Sequence, residues 1–406
     1  MRGLLAVVFV ALAVACSADA APPKVTLAAG PHPRAGEAWN VTLRAKSGLR
    51  IVLVARNGAT SVRANATGRA GRYRARLTFP FAGPWRLEAR AAKTVSRVAT
   101  VTVAPAAPVA SVLPGATATR VCATDRIPVP QYALSFGLDA LWVACRAQHR
   151  LLRVDPATGE VRGLVPTGFT EPYAIAAGEG AVWAVERGSS VHRFPPARGA
   201  STPFTVGESA YLWTAAGSVW VADDVSSELV RWDPAARRVV AEISTGSGTS
   251  ALVVSGSRGW FLDHRDATLQ ALDVEANTAR VLARLPGDAP ERLVVAFGSL
   301  WVTGRGTDLL RVDPTTGAML ATIDVGAGAI DLVASAESIW VFAPTGADDL
   351  RGWPQLERLL RVDPASNAIV ETIRPTARVM VTGVANVGGT AWLSDVMEGR
   401  LYRLPR

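Results

Sequence analysis

The chain has 406 residues, 49% of them hydrophobic, and its formal net charge at pH 7 is +9. This length exceeds one ordinary hydrophobic core, so two domains are expected. No internal apolar run is long enough for a transmembrane helix. The sequence also contains neither the P-loop motif of nucleotide-binding proteins nor the nucleophile elbow of hydrolases.

The positive charge is concentrated near the N-terminus. Residues 24–105 contain 15 lysines and arginines but only two acids, Glu37 and Glu88, whereas residues 106–406 carry a net charge of −4. A concentrated positive field attracts anionic surfaces such as lipid headgroups or cell-envelope polymers. A compositional bias toward arginine and alanine explains the same excess without a partner.

Residues 1–20 are typical of a secretory signal peptide. Arg2 precedes an apolar run over residues 4–14, and Ala18-Asp-Ala20 has the form of a cleavage site. Ala13-Val-Ala-Cys16 resembles a bacterial lipoprotein cleavage box, which would place a lipid on Cys16. We therefore expect an extracytoplasmic protein, periplasmic or secreted, with a lipid anchor on a membrane as the alternative.

Residues 22–105 alternate between apolar and polar side chains, as at Tyr73-Arg-Ala-Arg-Leu-Thr-Phe79. This period of two predicts six or seven antiparallel strands and a small β-sandwich. The stretch 71–85 contains Gly-x-Tyr, an alternating strand and Gly-x-Trp, and it resembles the immunoglobulin-like domains of the YtkA-like and CopC-like groups of bacterial periplasmic proteins. Some members of these groups handle copper. Copper is not expected here, because residues 22–105 hold one histidine, His32, and no Met or Cys.

Residues 106–118 are rich in Pro and Ala and predict a linker. Beyond it, over residues 119–406, tryptophan marks a repeat whose successive intervals are 41, 37, 40, 41, 39 and 52 residues. A period near forty with several short strands per unit is typical of a β-propeller blade, so seven markers predict seven blades. The markers are Trp142, Trp183, Trp220, Trp260, Trp301, Trp340 and Trp392.

Local signals place the strands and turns of each blade. Glycine three residues before the marker predicts the turn between the first two strands, and Asp313-Pro-Thr-Thr-Gly317 is typical of the turn between the last two. Asn277 and Asn367 replace that second glycine in two blades. Arginine recurs on the third strand as a predicted structural series: Arg153, Arg193, Arg231, Arg311, Arg361 and Arg403.

The chain ends on the third strand of the seventh blade, so another segment must supply the fourth. Residues 119–128 precede blade one and are predicted to pair there, which closes the ring and removes an exposed edge. Cys122 would then meet Cys145 on the second strand of blade one. An even cysteine count in an exported protein favours this disulfide over two free thiols.

The runs Gly-Ser-Leu-Trp-Val at 298–302 and Leu-Leu-Arg-Val-Asp-Pro-Thr-Thr-Gly at 309–317 resemble YVTN-type and streptogramin-lyase-like propellers of bacterial secreted proteins. The resemblance implies a fold more than a function, because one propeller serves many unrelated roles. For a lyase it implies histidine and acidic residues acting with magnesium. His264, beside Asp263 and Asp266, is the only histidine next to an acid-rich loop.

Two sets of side chains are candidate sites at the propeller face where each second strand ends. Three residues after the marker, four blades carry a carboxylate, and these form a partial ring suited to a cation unless each caps its own loop. They are Glu186, Asp223, Asp263 and Asp395. Side chains unique to one blade at the entrances of the inner strands are candidate ligand-binding residues: Glu171, Tyr173, Glu208, Tyr211, Arg292 and Asp331.

Trp353 lies outside the repeat, in an extended loop of blade six, and is a candidate lid or partner contact unless it packs on its own blade. Together these features favour a non-catalytic binding or scaffold protein of the cell envelope, monomeric and without a cofactor. Its partner would be an envelope protein, a peptide or a glycan, with an anionic membrane or cell-wall surface held by residues 24–105; nucleic acid is not expected. The alternative is a metal-assisted lyase or hydrolase of the streptogramin-lyase type that uses Mg²⁺ or Ca²⁺.

Overall fold

The computed structural model describes residues 24–28, 32–91, 94–107, 109–122, 133–145, 148–167, 172–186, 191–196, 203–204, 211–222, 227–246, 248–287, 289–304, 307–326, 329, 331–344, 355–395 and 397–405. Across these ranges every extended regular element is a β-strand, which confirms the all-β prediction. No helix within them is long and apolar enough to cross a membrane.

Seven strands form the N-terminal domain: β1 (Thr26–Leu27), β2 (Ala38–Arg44), β3 (Ile51–Asn57), β4 (Thr60–Arg69), β5 (Arg72–Thr78), β6 (Gly83–Ala91) and β7 (Thr94–Val103). Hydrogen bonds join them into one sheet in the order β1-β2-β5-β4-β3-β6-β7. Trp39, Tyr73, Phe79 and Trp85 lie in its buried core. The alternation of apolar side chains places them there, since every second residue of a strand faces the same side.

The predicted immunoglobulin-like sandwich is not shown, because the strands do not separate into two sheets. The ten-residue strand β4 is the reason. Its first part, Thr60–Ala66, pairs with β3, and its last three residues, Thr67–Arg69, pair with β5. The edge strands β1 and β7 also contact each other, so the sheet nearly closes on itself like a barrel.

Seven four-stranded antiparallel sheets follow, which confirms the seven-bladed propeller. Blades one to three contain β9 (Leu134–Gly137), β10 (Ala140–Cys145), β11 (Arg150–Val154), β12 (Val161–Pro166); β13 (Pro172–Gly178), β14 (Ala181–Glu186), β15 (Val191–Phe194), β16 (Pro203–Phe204); and β17 (Tyr211–Ala215), β18 (Ser218–Ala222), β19 (Glu228–Asp233), β20 (Arg238–Ser244). Blades four and five contain β21 (Thr249–Ser255), β22 (Arg258–Asp263), β23 (Thr268–Asp273), β24 (Thr278–Arg284); and β25 (Pro290–Ala296), β26 (Ser299–Gly304), β27 (Thr307–Val312), β28 (Met319–Ile323). Blade six contains β29 (Asp331–Ala334), β30 (Ile339–Pro344), β31 (Leu356–Asp363) and β32 (Ala368–Ile373). Blade seven contains β33 (Gly383–Val387), β34 (Thr390–Asp395) and β35 (Arg400–Arg403), together with β8 (Thr117–Arg120).

The marker tryptophans all lie on the second strand of their blade and are buried. Five of the third-strand arginines stack on the marker ring of their own blade, with the guanidinium carbon 5.0 to 5.9 Å from the ring centroid: Arg193, Arg231, Arg311, Arg361 and Arg403. The predicted turn residues take the left-handed backbone that such turns require, with φ of 68° at Gly298, 53° at Asn277 and 56° at Asn367. These five arginines therefore belong to the packing of their own blades, in agreement with a structural series.

Strand β8 closes the ring by pairing with β35, so a segment from the N-terminal side of the propeller supplies the fourth strand, as predicted. Of the described part of the predicted segment 119–128, only Thr119 and Arg120 belong to this strand. The paired segment begins at Thr117 and ends at Arg120, because β35 offers only four residues to pair with. The next residues bring Cys122 to Cys145 at the end of β10, where the two form a disulfide with their Cα atoms 5.6 Å apart. The covalent bond therefore fastens the closing segment to blade one.

Candidate functional site

Two candidate residues of the inner strands meet at the joint between blades five and six. Arg292 lies on β25 and Asp331 begins β29, and the Nε of Arg292 is 3.5 Å from the Oδ1 of Asp331. The residues are only 5% and 8% exposed. The structure thus brings together two of the predicted ligand-binding side chains, but as a buried ion pair that holds neighbouring blades.

Burial raises the pKa of Asp331 to about 6, against the opposing effects of the Arg292 guanidinium and of the hydrogen bond from the Leu332 N–H. Desolvation of a carboxylate favours its neutral form, and here it outweighs the attraction of the partner. A buried ion pair of this kind is weak evidence for stability, because the cost of desolvation can exceed the Coulombic attraction. Any ligand at this joint would have to compete with the pair itself.

The other inner-strand candidates are only partly covered by the structure. Tyr211 begins β17, and its ring stacks on Trp213 with the centroids 6.0 Å apart. Tyr173 lies on β13, but its side chain is not among the described parts of the chain. Outside the described residues lie Glu171, Glu208, Trp353 and, from the signal region, Cys16.

The two described carboxylates of the predicted ring each cap the loop of their own blade. Asp263 accepts hydrogen bonds through Oδ1 from the N–H groups of Arg265 and Asp266 at 3.0 and 3.1 Å. Asp395 accepts one through Oδ1 from the Glu398 N–H at 3.1 Å. These contacts are those of the loop-cap alternative.

The described side chains at this face do not form a metal site. Across the described ranges no group of three or more His, Cys, Asp or Glu side chains is placed to hold an ion. The Nδ1 of His264 lies 3.0 Å from the Gly248 carbonyl oxygen, in contact with the backbone. Glu186 ends β14 with its side chain undescribed, and Asp223 lies outside the described residues.

The N-terminal sheet carries a more distinctive feature, an exposed face made by β2, β5 and β4. Arg72 lies directly opposite Arg44 on one neighbouring strand and opposite Arg69 on the other. Arg74 and Arg76 continue the same face along β5, since alternate residues of a strand share a side. We call these five exposed arginines the arginine face.

No residue of the arginine face forms an ion pair with any part of the chain that the structure describes. Elsewhere in the same sheet, Glu88 lies 3.6 Å from both Arg56 and Arg90, so that region is partly neutralised. Like charges directly opposite each other destabilise a strand pair. The arginine face therefore has an electrostatic cost that a polyanion would offset.

The sequence shows the excess positive charge of this domain, but it does not show that five arginines share one face. The alternation Arg72-Tyr-Arg-Ala-Arg76 indicates three arginines on one side of β5. Arg44 and Arg69 join them only through the pairing order β2-β5-β4, which joins strands distant in sequence.

The fold and these sites define a seven-bladed β-propeller protein with an additional N-terminal β-sheet. Its structural neighbours are WD40-like propellers. A chain in the crystal structure of the Mitotic Checkpoint Complex has a TM-score of 0.59 at 12% identity, with 71% of this chain and 94% of that chain covered. The WD40 β-propeller domain of Doa1 has a TM-score of 0.55 at 10% identity, with 71% and 96% covered.

The Neurospora crassa Pan2 WD40 domain has a TM-score of 0.53 at 12% identity, with 73% of this chain and 97% of that chain covered. At such identities the similarity shows the fold alone. No protein-family model and no curated protein matches the sequence.

Proposed function

We propose that the chain is a non-catalytic binding or scaffold protein of the cell envelope, exported by a signal peptide over residues 1–20. In this proposal residues 22–105 hold an anionic surface, residues 106–118 link them to the propeller, and residues 119–406 present a binding face. The observation that carries the proposal is the arginine face, with five exposed guanidinium groups and no partner among the described residues.

The magnitude of this attraction suits surface attachment. A basic side chain near an anionic membrane contributes about 1 kcal/mol, so five arginines on one face contribute roughly 5 kcal/mol before losses of side-chain freedom. The guanidinium groups stand on a sheet, which fixes their backbone positions and limits the entropy lost on binding. A face of this kind recognises phosphate or carboxylate density rather than one sequence or shape.

The propeller supports the second half of the proposal. Its ring is closed by β8 and by the Cys122–Cys145 disulfide, so its loops stand on a rigid frame. The partner would be an envelope protein, a peptide or a glycan at the channel mouth, which Tyr211 would border. The likeness of the two domains to immunoglobulin-like and YVTN-type modules remains part of the proposal.

Vesicle sedimentation tests the proposed attachment. The chain is expected to sediment with vesicles containing about 30% phosphatidylglycerol, and not with pure phosphatidylcholine, because only the first carries surface charge. Raising the salt from about 0.05 M to about 0.5 M should release it by screening. The double variant Arg72→Glu with Arg74→Glu should lose binding at low salt.

A matched control keeps the change of net charge constant. Arg280→Glu with Arg284→Glu reverses two exposed charges on β24 of blade four. If this control loses as much binding as the Arg72 and Arg74 variant, attachment depends on net charge and the arginine face has no special role. A soluble anionic wall polymer in place of vesicles separates a wall surface from a membrane surface.

A further inference from the structure

A cleft of about 920 Å³ lies between the N-terminal sheet and the propeller. One wall comes from the sheet and includes Arg34 and Pro80. The opposite wall comes from the closing segment and blade one, and includes Arg120, Arg150 and Val161. Ligand sites occur preferentially at domain interfaces, and their volumes run from about 300 to about 1,000 Å³.

Arg150 is the half-buried cation of this cleft. It begins β11, directly opposite Cys145, and is therefore held beside the disulfide. Its Nε is buried and has no hydrogen-bond partner among the described residues. Because a guanidinium stays charged, an unmet donor on it is a substantial energetic cost that an incoming acceptor would remove.

A comparison with blade seven shows what Arg150 lacks. Arg400 begins the third strand of blade seven as Arg150 begins that of blade one. A hydrogen bond to the Tyr402 hydroxyl, at 3.4 Å, is the main cause that raises the pKa of Arg400, and Asp395 and Glu398 add to it. Burial alone lowers the pKa of Arg150. The Nε of Arg400 is also buried without a hydrogen-bond partner, so the two sites differ in the Tyr402 hydroxyl and the nearby carboxylates, which Arg150 lacks among the described residues.

The charges around the cleft leave it positive. Arg34 and Arg120 form no ion pair with a described residue. Of the two carboxylates that line the cleft, Glu160 is already paired with Arg162 at 3.0 Å, which leaves Glu37. Three guanidinium groups therefore face one carboxylate that is not engaged elsewhere.

Apolar side chains complete the lining: Val62, Pro80, Val109, Val121, Leu152 and Val161. We propose that the cleft binds a small organic oxyanion, a carboxylate or a phosphate monoester, whose charge pairs with Arg150 and whose apolar part lies against these side chains. Guanidinium groups bind both oxyanions through parallel hydrogen bonds. This site is separate from the arginine face and from the channel mouth.

Isothermal titration of the folded chain tests the proposal with four probes: hexanoate, hexyl phosphate, inorganic phosphate and hexylammonium. Hexanoate or hexyl phosphate is expected to bind, and hexyl phosphate more tightly than inorganic phosphate because it also buries apolar surface. Hexylammonium is expected not to bind. The relative affinities of hexanoate and hexyl phosphate identify which oxyanion the cleft prefers.

Arg150→Met should weaken the bound probe about tenfold or more, the effect of losing a charged hydrogen bond. Arg238→Met, at the start of the exposed outer strand of blade three, is the matched control and should bind as the original chain does. Thermal unfolding checks that each variant is folded. If Arg150→Met does not fold, Arg34→Met on the exposed opposite wall replaces it, with an expected loss of about threefold.

Three results would overturn the proposal. One is the absence of measurable heat with every anionic probe at about millimolar concentration. Another is equal binding of hexylammonium and hexanoate, and the third is unchanged affinity in the folded Arg150 or Arg34 variant.

Discussion

In blade five, Arg311 lies directly opposite Trp301 on the neighbouring strand, whereas in blade four the residue opposite Trp260 is Ala271. The Arg311 guanidinium stacks 5.0 Å from the Trp301 ring centroid. Its Nη1 also donates to the Pro364 carbonyl oxygen in blade six, at 2.6 Å. One side chain therefore packs its own blade and joins it to the next.

Blade four makes the corresponding joint with a different donor. The Nε1 of Trp260 donates to the Pro314 carbonyl oxygen of blade five at 2.8 Å, whereas the Nε1 of Trp301 donates within its own blade, to Ala296 at 3.1 Å. A groove of about 360 Å³ lies beside Trp260. In both joints a side-chain N–H donates to a carbonyl oxygen in the turn of the next blade, from arginine in one case and from tryptophan in the other.

Removing the marker tryptophan should have the largest effect on stability and should differ most between the two blades. Trp301→Ala is expected to lower the free energy of unfolding by about 3–5 kcal/mol, the usual loss for a buried aromatic ring. Trp260→Ala should cost less, because that ring is 7% exposed and borders the groove, while Trp301 is fully buried. Urea unfolding measures both. Equal losses would mean that the groove does not weaken packing in blade four.

The inner strands of the two blades also differ, and this difference should make the stability that blade five contributes depend on pH. Arg292 of blade five pairs with Asp331, whereas blade four has Ala251 at the corresponding place. Because the pKa of Asp331 is raised from 3.8 to about 6 on folding, its protonated form stabilises the fold below about pH 4. That contribution is lost as pH rises through 6. Asp331→Asn should remove the dependence, which is on the order of 2–3 kcal/mol.

The measurement is the free energy of unfolding of both proteins between about pH 2 and pH 7. The original chain should gain on the variant as pH falls. Asp313→Asn provides a control of opposite sign, because hydrogen bonds from the Thr316 and Thr315 N–H groups lower the pKa of Asp313. The stability from Asp313 is present above its unfolded pKa of 3.8 and is lost as pH falls through its lower folded value. A flat difference for Asp331→Asn would show that its burial does not control its protonation.

Shortening the joint donor gives a smaller effect. Arg311→Met should cost about 1–2 kcal/mol, from the lost ring stacking and the lost bond to the Pro364 carbonyl oxygen. Arg258→Met in blade four should change stability by less than about 0.5 kcal/mol, because Arg258 is an exposed strand residue. Thermal unfolding compares the two. If both variants lose a similar amount of stability, the effect comes from the loss of a positive charge and not from the contacts between the blades.

The parts of this fold that could be predicted are those with local causes. Each blade is marked by a turn with glycine or Asn, by a buried tryptophan and by an Asp-Pro turn. Each of these features depends on only a few neighbouring residues, so the number of blades and the order of their strands could be inferred from the sequence. The closing strand β8 was predictable because blade seven ends one strand short. Its exact partner residues depend on the length of β35, and the prediction began two residues too late.

The parts that could not be predicted depend on distant contacts. Arg292 and Asp331 meet across the contact between β25 and β29 of neighbouring blades, and a repeat period does not show which side chains face each other there. Strand β4 changes partner along its length, which joins two expected sheets into one. Arg150 borders a cleft only because the N-terminal sheet packs near blade one. The carboxylate series was visible in sequence, but at Asp263 and Asp395 its contacts are those of a repeated loop cap.

Introducing the serine–arginine pair of blade five into blade four should have the smallest effect on stability, and the sign of that effect distinguishes two explanations. In blade five the Nε of Arg311 donates to the Ser299 hydroxyl at 2.9 Å, but the position corresponding to Ser299 in blade four is Arg258. Arg258→Ser combined with Ala271→Arg moves the guanidinium to the third strand. It should stack on the marker ring and fill the groove, adding about 0.5–1 kcal/mol of stability. A rise in Tm in the double variant, absent from either single variant, would show that the serine and the arginine act as a pair; a fall would show that the Trp260 bond to blade five is the better joint.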